Sequence, residues 1–247
     1  MSTIKALCLR WLILAFVVPQ LAQANAPGHA IAKRQTEFSW HRMVLTEATE
    51  ILPSPIQSAQ RVHFLDSRAS KEVQATVNWI IDSEDNLGMP FMIVDKREAR
   101  VFVFSARGQL SGEASALLGL AVGDDSVPGI GERALANIRP DERTTPAGRF
   151  VASLGRNLKG GEILWVDYEN AISLHPVFTG NPHERRVERL ASPQANDNRI
   201  SYGCINVPKT FYTTVVSTVF KNSNGIVYVL PETRSNHSVF ASYYEVK

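Results

Sequence analysis

Arg100-Val101-Phe102-Val103-Phe104 places four apolar residues in succession. A strand sends alternate side chains to opposite faces, so both faces of this one must be covered and it must lie inside a sheet. A comparable run, Phe91-Met92-Ile93-Val94-Asp95, precedes it across the polar turn Lys96-Arg97-Glu98, and the pair predicts a central hairpin. Ala116 to Val122 predicts another strand. Glu162–Tyr168 and Ala171–His175 predict a second hairpin around Glu169-Asn170, and Ile226–Leu230 a last strand. Helical signals are fewer. Ser70 can cap a helix running to about Asn86, with Val73, Val77, Ile80 and Ile81 on one face and Gly88-Met89-Pro90 as its stop. Pro208 suits the first turn of a second helix, where Phe211, Val215 and Val219 recur every four residues beside Tyr212, Val216 and Phe220. Its β-branched residues lower helix propensity, so packing must hold it. Gly123 to Arg143 reads as loop, and so does the charged stretch Asn181 to Asn198. A long connection inside a compact domain is usually functional, such as a lid. The pattern predicts an α+β, β-rich domain with mainly antiparallel strands and a few helices.

The first residues read as a secretory signal: Lys5 and Arg10, a short apolar run from Trp11 to Val18, then Ala22-Gln23-Ala24 and Ala24-Asn25-Ala26 as cleavage sites. Cleavage removes two of the 26 basic residues and none of the 24 acidic ones, so the mature chain is neutral. It offers no electrostatic reason to bind nucleic acid or an anionic membrane. No later apolar stretch approaches bilayer length, so no stable membrane span is expected after cleavage. The expected organisation is a signal peptide over 1–24 and an N-terminal extension over 25–88 containing helix. A catalytic domain over 89–235 and a C-terminal tail over 236–247 follow. Within the extension, residues 27–68 carry Pro53-Ser54-Pro55 and some helix around Phe38 to Ile51.

Of the two cysteines, Cys8 lies within the signal, which leaves Cys204 alone in an exported chain. A leftover thiol is reactive, paired with another molecule, or inert in a core. Its setting, Arg199-Ile200-Ser201-Tyr202-Gly203-Cys204-Ile205-Asn206-Val207-Pro208, favours reactivity, because Gly203 lets the backbone come close to a substrate. A histidine, His175, ends an apolar strand upstream. An imidazole can take the thiol proton and stabilise the thiolate. Backbone N–H groups around Gly203 and Cys204 could stabilise an oxyanion, and Ser201 and Asn206 could fix the loop or orient the histidine. Arg149 and Arg199 could grip substrate carboxylates in bidentate fashion, though surface arginine is the ordinary fate of such residues. A rival chemistry would gather His175, His183 and Cys204 around zinc, at a spacing unlike the usual compact ligand pairs.

The run Ser201, Gly203, Cys204, Ile205, Asn206 resembles the signature of the L,D-transpeptidase (YkuD-type) catalytic domain. Thr145-Pro146-Ala147-Gly148-Arg149-Phe150 resembles the family's Thr-Pro-x-Gly segment, and Ile172-Ser173-Leu174-His175 its histidine strand. The resemblance covers roughly residues 89 to 232. It implies a YkuD-like fold and a periplasmic enzyme that needs no cofactor or metal. It further implies a Cys204 thioester with the third residue of a peptidoglycan stem tetrapeptide, releasing terminal D-alanine. A second stem or a lipoprotein lysine would be the acceptor; with water the enzyme would be a carboxypeptidase. The implied catalytic set is Cys204, His175, Ser201 and Gly203, with Tyr202, Asn206, Arg149 and Arg199 on the substrate. Tyr202 stands where the family usually has histidine, which keeps open a non-catalytic wall-binding protein on the same scaffold. The spacer from His175 to Ser201 is longer than the family's. His183 fits that count better but sits in a charged loop, and the strand-end His175 is the preferred base.

Overall fold

The computed structural model describes residues 68–247. The expected signal peptide, the helix around Phe38 to Ile51 and Pro53-Ser54-Pro55 lie outside the described residues. Ten strands are present among the described residues: β1 Phe91–Asp95, β2 Arg100–Phe104, β3 Leu110–Ser115, β4 Leu118–Gly119, β5 Gly148–Arg156, β6 Glu162–Asp167, β7 Ile172–Pro176, β8 Arg199–Ser201, β9 Ile205–Val207 and β10 Gly225–Val229. Eight of them form one sheet in the order β3-β2-β1-β10-β5-β6-β7-β9, while β4 and β8 pair separately. Within the large sheet, β1–β10 and β7–β9 run parallel and the other neighbours antiparallel. The result is the expected α+β, β-rich class. The chain leaving β3 bonds back to the far edge, since Leu117 and Asn206 exchange backbone hydrogen bonds of 2.8 and 2.9 Å.

The two apolar faces of the β1–β2 hairpin are both covered. Phe91, Ile93, Phe102 and Phe104 pack with Ile226 and Tyr228 beneath helix α1 (Lys71–Ser83), which supplies Val73, Val77, Trp79 and Ile80. Met92, Val94, Val101 and Val103 point the other way, into a second cluster with Leu164, Leu174, Ile205, Val227 and Val229. That cluster is closed by a continuous helical run: α3 (Lys209–Phe211), a π turn (Tyr212–Val216) and α4 (Ser217–Phe220). Ser70 caps α1 as expected, its hydroxyl accepting from the Val73 N–H at 3.2 Å. The stretch expected as a C-terminal tail returns over α1. There Phe240 stacks on Trp79 with 5.7 Å between ring centroids, and the indole N–H donates to the Ser242 carbonyl.

Three expectations are corrected. Ala116 to Val122 is not a continuous strand: Leu118–Gly119 pair with β8, while Leu117 and Ala121 make single bridges to Asn206 and Thr144. A side chain on Gly119 would lie 2.3 Å from the Arg143 carbonyl. Second, β3 and β5 are strands where the sequence suggested none. Third, Asn181 to Asn198 is not structureless. It holds a 3-10 turn (Pro182–Glu184), helix α2 (Arg186–Ala191) and another 3-10 turn (Ala195–Asn198). Arg189 ties it together, donating to the Glu184 and Asp197 carbonyls.

Candidate active site

Leu174 points into the core, so its neighbours Ser173 and His175 share the opposite face of β7. Parallel pairing with β9 sets Asn206 beside His175. Cys204 stands on the loop entering β9, half-buried, with its sulfur 3.6 Å from both the Ser173 hydroxyl and the Ala171 carbonyl. The His175 ring is held by its own strand: Nδ1 lies 2.8 Å from the Pro176 carbonyl. A carbonyl only accepts, so Nδ1 carries the proton and the neutral ring offers Nε2 as its acceptor.

Electrostatics couple the ring and the thiol. Burial pushes the Cys204 thiol up. Hydrogen bonds from His175 and from Ser173, together with the charge of the ring, outweigh burial and hold the thiol below its ordinary value. Burial pushes His175 down; the bond to Cys204, the Pro176 carbonyl and the thiolate charge outweigh it and raise the ring above its ordinary value, against the opposing charge of Arg186. Both directions describe one event, a proton moving from sulfur to ring.

The loop that presents the sulfur is braced from below. Gly203 has φ of +126°, and a side chain there would meet the Thr144 carbonyl at 2.8 Å, so glycine is required. The Ser201 hydroxyl donates to the Cys204 carbonyl (2.6 Å) and accepts from the Gly203 N–H (3.0 Å). The Thr145 hydroxyl donates to the Gly203 carbonyl at 2.8 Å. The Thr145 carbonyl in turn receives the fully buried Lys96 ammonium, which also pairs with Asp124 at 2.8 Å and faces Glu232 at 3.5 Å. A polar spine therefore runs from the interior to the loop that carries Cys204.

The structure sorts the residues singled out from the sequence. Cys204, His175, Gly203, Ser201 and Asn206 come together. Ser201 serves the loop backbone rather than the sulfur. Gly203 does not offer its N–H to a substrate, because Ser201 occupies it. Asn206 is buried with its amide 3.3 Å from the ring, the place of a residue that orients the histidine. Tyr202 is half-buried, with the Arg143 guanidinium 3.9 Å above its ring. Arg149 and Arg199 are placed elsewhere: Arg149 is tied to the Asp85 carboxylate and carbonyl, and Arg199 to Glu232 and the Lys96 carbonyl. A substrate carboxylate would have to displace those partners. His183 is exposed on its 3-10 turn. Among the described residues no three His, Cys, Asp or Glu side chains gather as metal ligands, so the zinc alternative has no site. Sequence reasoning missed Ser173, the Pro176 carbonyl, Lys96 and Arg186. A backbone carbonyl leaves no residue-type signal, and the contacts of the other three span long stretches of chain.

No helix among the described residues is long and apolar enough to cross a membrane. No protein-family model and no curated protein sequence matches the chain. Solved structures to which it is similar include the helical cell shape determining protein Pgp2 from Campylobacter jejuni, at 14% identity over 60% of this chain and 49% of that one with a TM-score of 0.41. An L,D-transpeptidase from Mycobacterium smegmatis is similar at 12% identity over 57% of this chain and 58% of that one (TM-score 0.32). The catalytic domain of an E. faecium L,D-transpeptidase is similar at 17% identity over 57% of this chain and 95% of that one (TM-score 0.30). The chain spans about half the length of Pgp2.

Proposed function

We propose that this protein is an exported cysteine acyltransferase of the L,D-transpeptidase type, acting on peptidoglycan stem peptides. The observation that carries the reading is the Cys204 thiol, held below its ordinary value beside a His175 ring whose Nδ1–H is fixed on the Pro176 carbonyl. The Ser-x-Gly-Cys-Ile-Asn motif supports the same reading from the sequence.

The sulfur proton passes to His175 Nε2, and the thiolate attacks the carbonyl joining the third and fourth stem residues. The carbonyl π electrons move to oxygen, and the oxyanion needs a donor, for which the Cys204 N–H is the proposed group. Collapse breaks the C–N bond, and the terminal residue leaves as its amine with the proton from His175. An acceptor amine then attacks the thioester, His175 takes its proton, and the sulfur leaves to be reprotonated. The sequence of residues 1–24, which reads as a secretory signal, supports a periplasmic setting.

Incubation with a carbapenem, a strained acyl donor, tests this reading by intact mass. One covalent adduct is expected on the wild type and none on Cys204→Ala. An unmodified wild type that still binds muropeptides would instead make the protein a wall-binding module.

A further inference from the structure

We propose that Arg186, at the start of α2 in the segment between β7 and β8, is the positioning residue that locks the Asn206 amide with its NH2 group toward His175, so that Nε2 works as a proton acceptor in the acyl-enzyme. The inference rests on the proposed thioester chemistry.

An arginine has only donors. Arg186 reaches the Asn206 side-chain oxygen at 2.5 Å, which fixes the amide: the oxygen faces Arg186 and Nδ2 faces the ring. Nδ2 lies 3.3 Å from His175 Nε2 and 3.4 Å from the Cys204 carbonyl, and it can donate to both. A ring nitrogen that receives a hydrogen bond presents a lone pair. Were the ring protonated at Nε2, two N–H groups would face each other. With Arg186 absent the amide is free to turn. Its oxygen would then accept from a protonated Nε2 and hold the ring as imidazolium.

Arg186 is itself fixed. Its side chain is 13% exposed, and Nε donates to the Glu184 carboxylate at 2.5 Å. The charged and titratable groups that bear on the ring are Cys204 from the loop before β9 and Arg186, with its Glu184 partner, from the turn and helix after β7. Ser173 and Asn206 are neutral. Once Cys204 is acylated its negative charge is gone. Arg186 and the donating amide then both favour the neutral ring, the form that must deprotonate the incoming amine. Residues between β7 and β8 that look like a solvated loop thus act on the step that resolves the thioester.

The test uses Cys204→Ala as a mimic of the uncharged acyl-enzyme, with the His175 ring proton titrated by NMR. Adding Arg186→Met is expected to raise the His175 midpoint by about one unit, a tenfold higher proton affinity, while Arg186→Lys, which keeps a charged donor, stays near the parent. In the protein with Cys204 intact, the rising limb of the thioester-resolving step should move to higher pH by the same amount in Arg186→Met. A packing role alone would lower the rate at every pH with the limb unmoved. If the methionine variant does not fold, Arg186→Gln keeps most of the volume without the charge and is expected to shift the ring the same way by less. An unmoved ring in the folded variants overturns the proposal, even where the carbapenem still acylates Cys204. Absence of acylation in the wild type would overturn the thioester reading, while the titration would still report on Arg186.

Discussion

His175→Ala is expected to slow acylation of Cys204 by about 10²–10⁴-fold, the usual worth of a positioned acid–base group, while His183→Ala leaves the rate within about twofold. The contrast follows from how each ring is held. His175 sits at the end of a strand paired on both sides, with Nδ1 on the Pro176 carbonyl and Nε2 toward Asn206. His183 is exposed on a 3-10 turn, and the contact that fixes the turn there is its backbone N–H on the Asn181 side chain. His175→Gln, which keeps volume and polarity, should be as slow as the alanine variant if proton transfer is what is lost. The check is the rate of carbapenem adduct formation by mass, beside a melting curve to show that each variant folds. Loss of acylation in His183→Ala alone would transfer the role of base to the inserted turn.

The second large effect belongs to stability. Lys96→Met should destabilise the domain by about 3–5 kcal/mol, because it removes one partner of a buried ion pair and strands the others. Lys96 is fully buried, and its ammonium reaches the Gly123 carbonyl, the Asp124 carboxylate and the Thr145 carbonyl. Asp124 also accepts from the backbone N–H groups of Glu232, Thr233 and Arg234. Burial alone would raise the Asp124 carboxyl; the bonds from Lys96, Thr233 and the backbone overcome it and hold it below the usual carboxylate range. Stability from a depressed carboxylate is present above its unfolded value of about 3.9 and is lost as pH falls through the folded one. Set against a total of about 5–15 kcal/mol, the substitution removes a large share. Thermal unfolding should show a drop on the order of 10 °C, and the native protein should lose stability on acidification below about pH 4. A Lys96→Met variant melting within about 2 °C of wild type would show that the spine under Gly203 is replaceable.

Much of this arrangement was legible in the chain because it rests on local signals. The doubly apolar β1–β2 hairpin, the Ser70 cap and the four-residue spacing of Phe211, Val215 and Val219 each report a backbone state. Strand β5 was harder to see. Phe150, Ala152 and Leu154 do alternate and Val151 favours a strand, but Arg149, Ser153 and Gly155 carry little strand preference, and pairing with β10 and β6 decides the matter. The same holds for β3, where Gly112 closes against Val215 and Phe211. The apolar run from Ala116 to Val122 misled for the opposite reason: Ala116, Leu117 and Leu118 are buried, but the partner changes along the run, from Asn206 through β8 to residues 143–144, and Leu120 and Val122 are exposed. At the site, Cys204 and His175 were readable by residue type and motif. Asn206 was expected either to orient the histidine or to meet the substrate; its partner Arg186, 20 residues away along the chain, left no signal in the sequence. Arg149 and Arg199 carried the right chemistry for carboxylates, but Asp85 and Glu232 already hold them.

The proposed chemistry requires His175 to switch on the Cys204 sulfur. The most direct measurement is the alkylation rate of Cys204 by iodoacetamide across pH, read by the mass of the peptide carrying it, for wild type and His175→Ala. The wild type should keep reacting as pH falls well below about 8.5, the ordinary thiol value, and His175→Ala should move the inflection up to that value or beyond, where burial alone would leave it. A wild-type inflection at or above 8.5 that His175→Ala does not move would contradict the account.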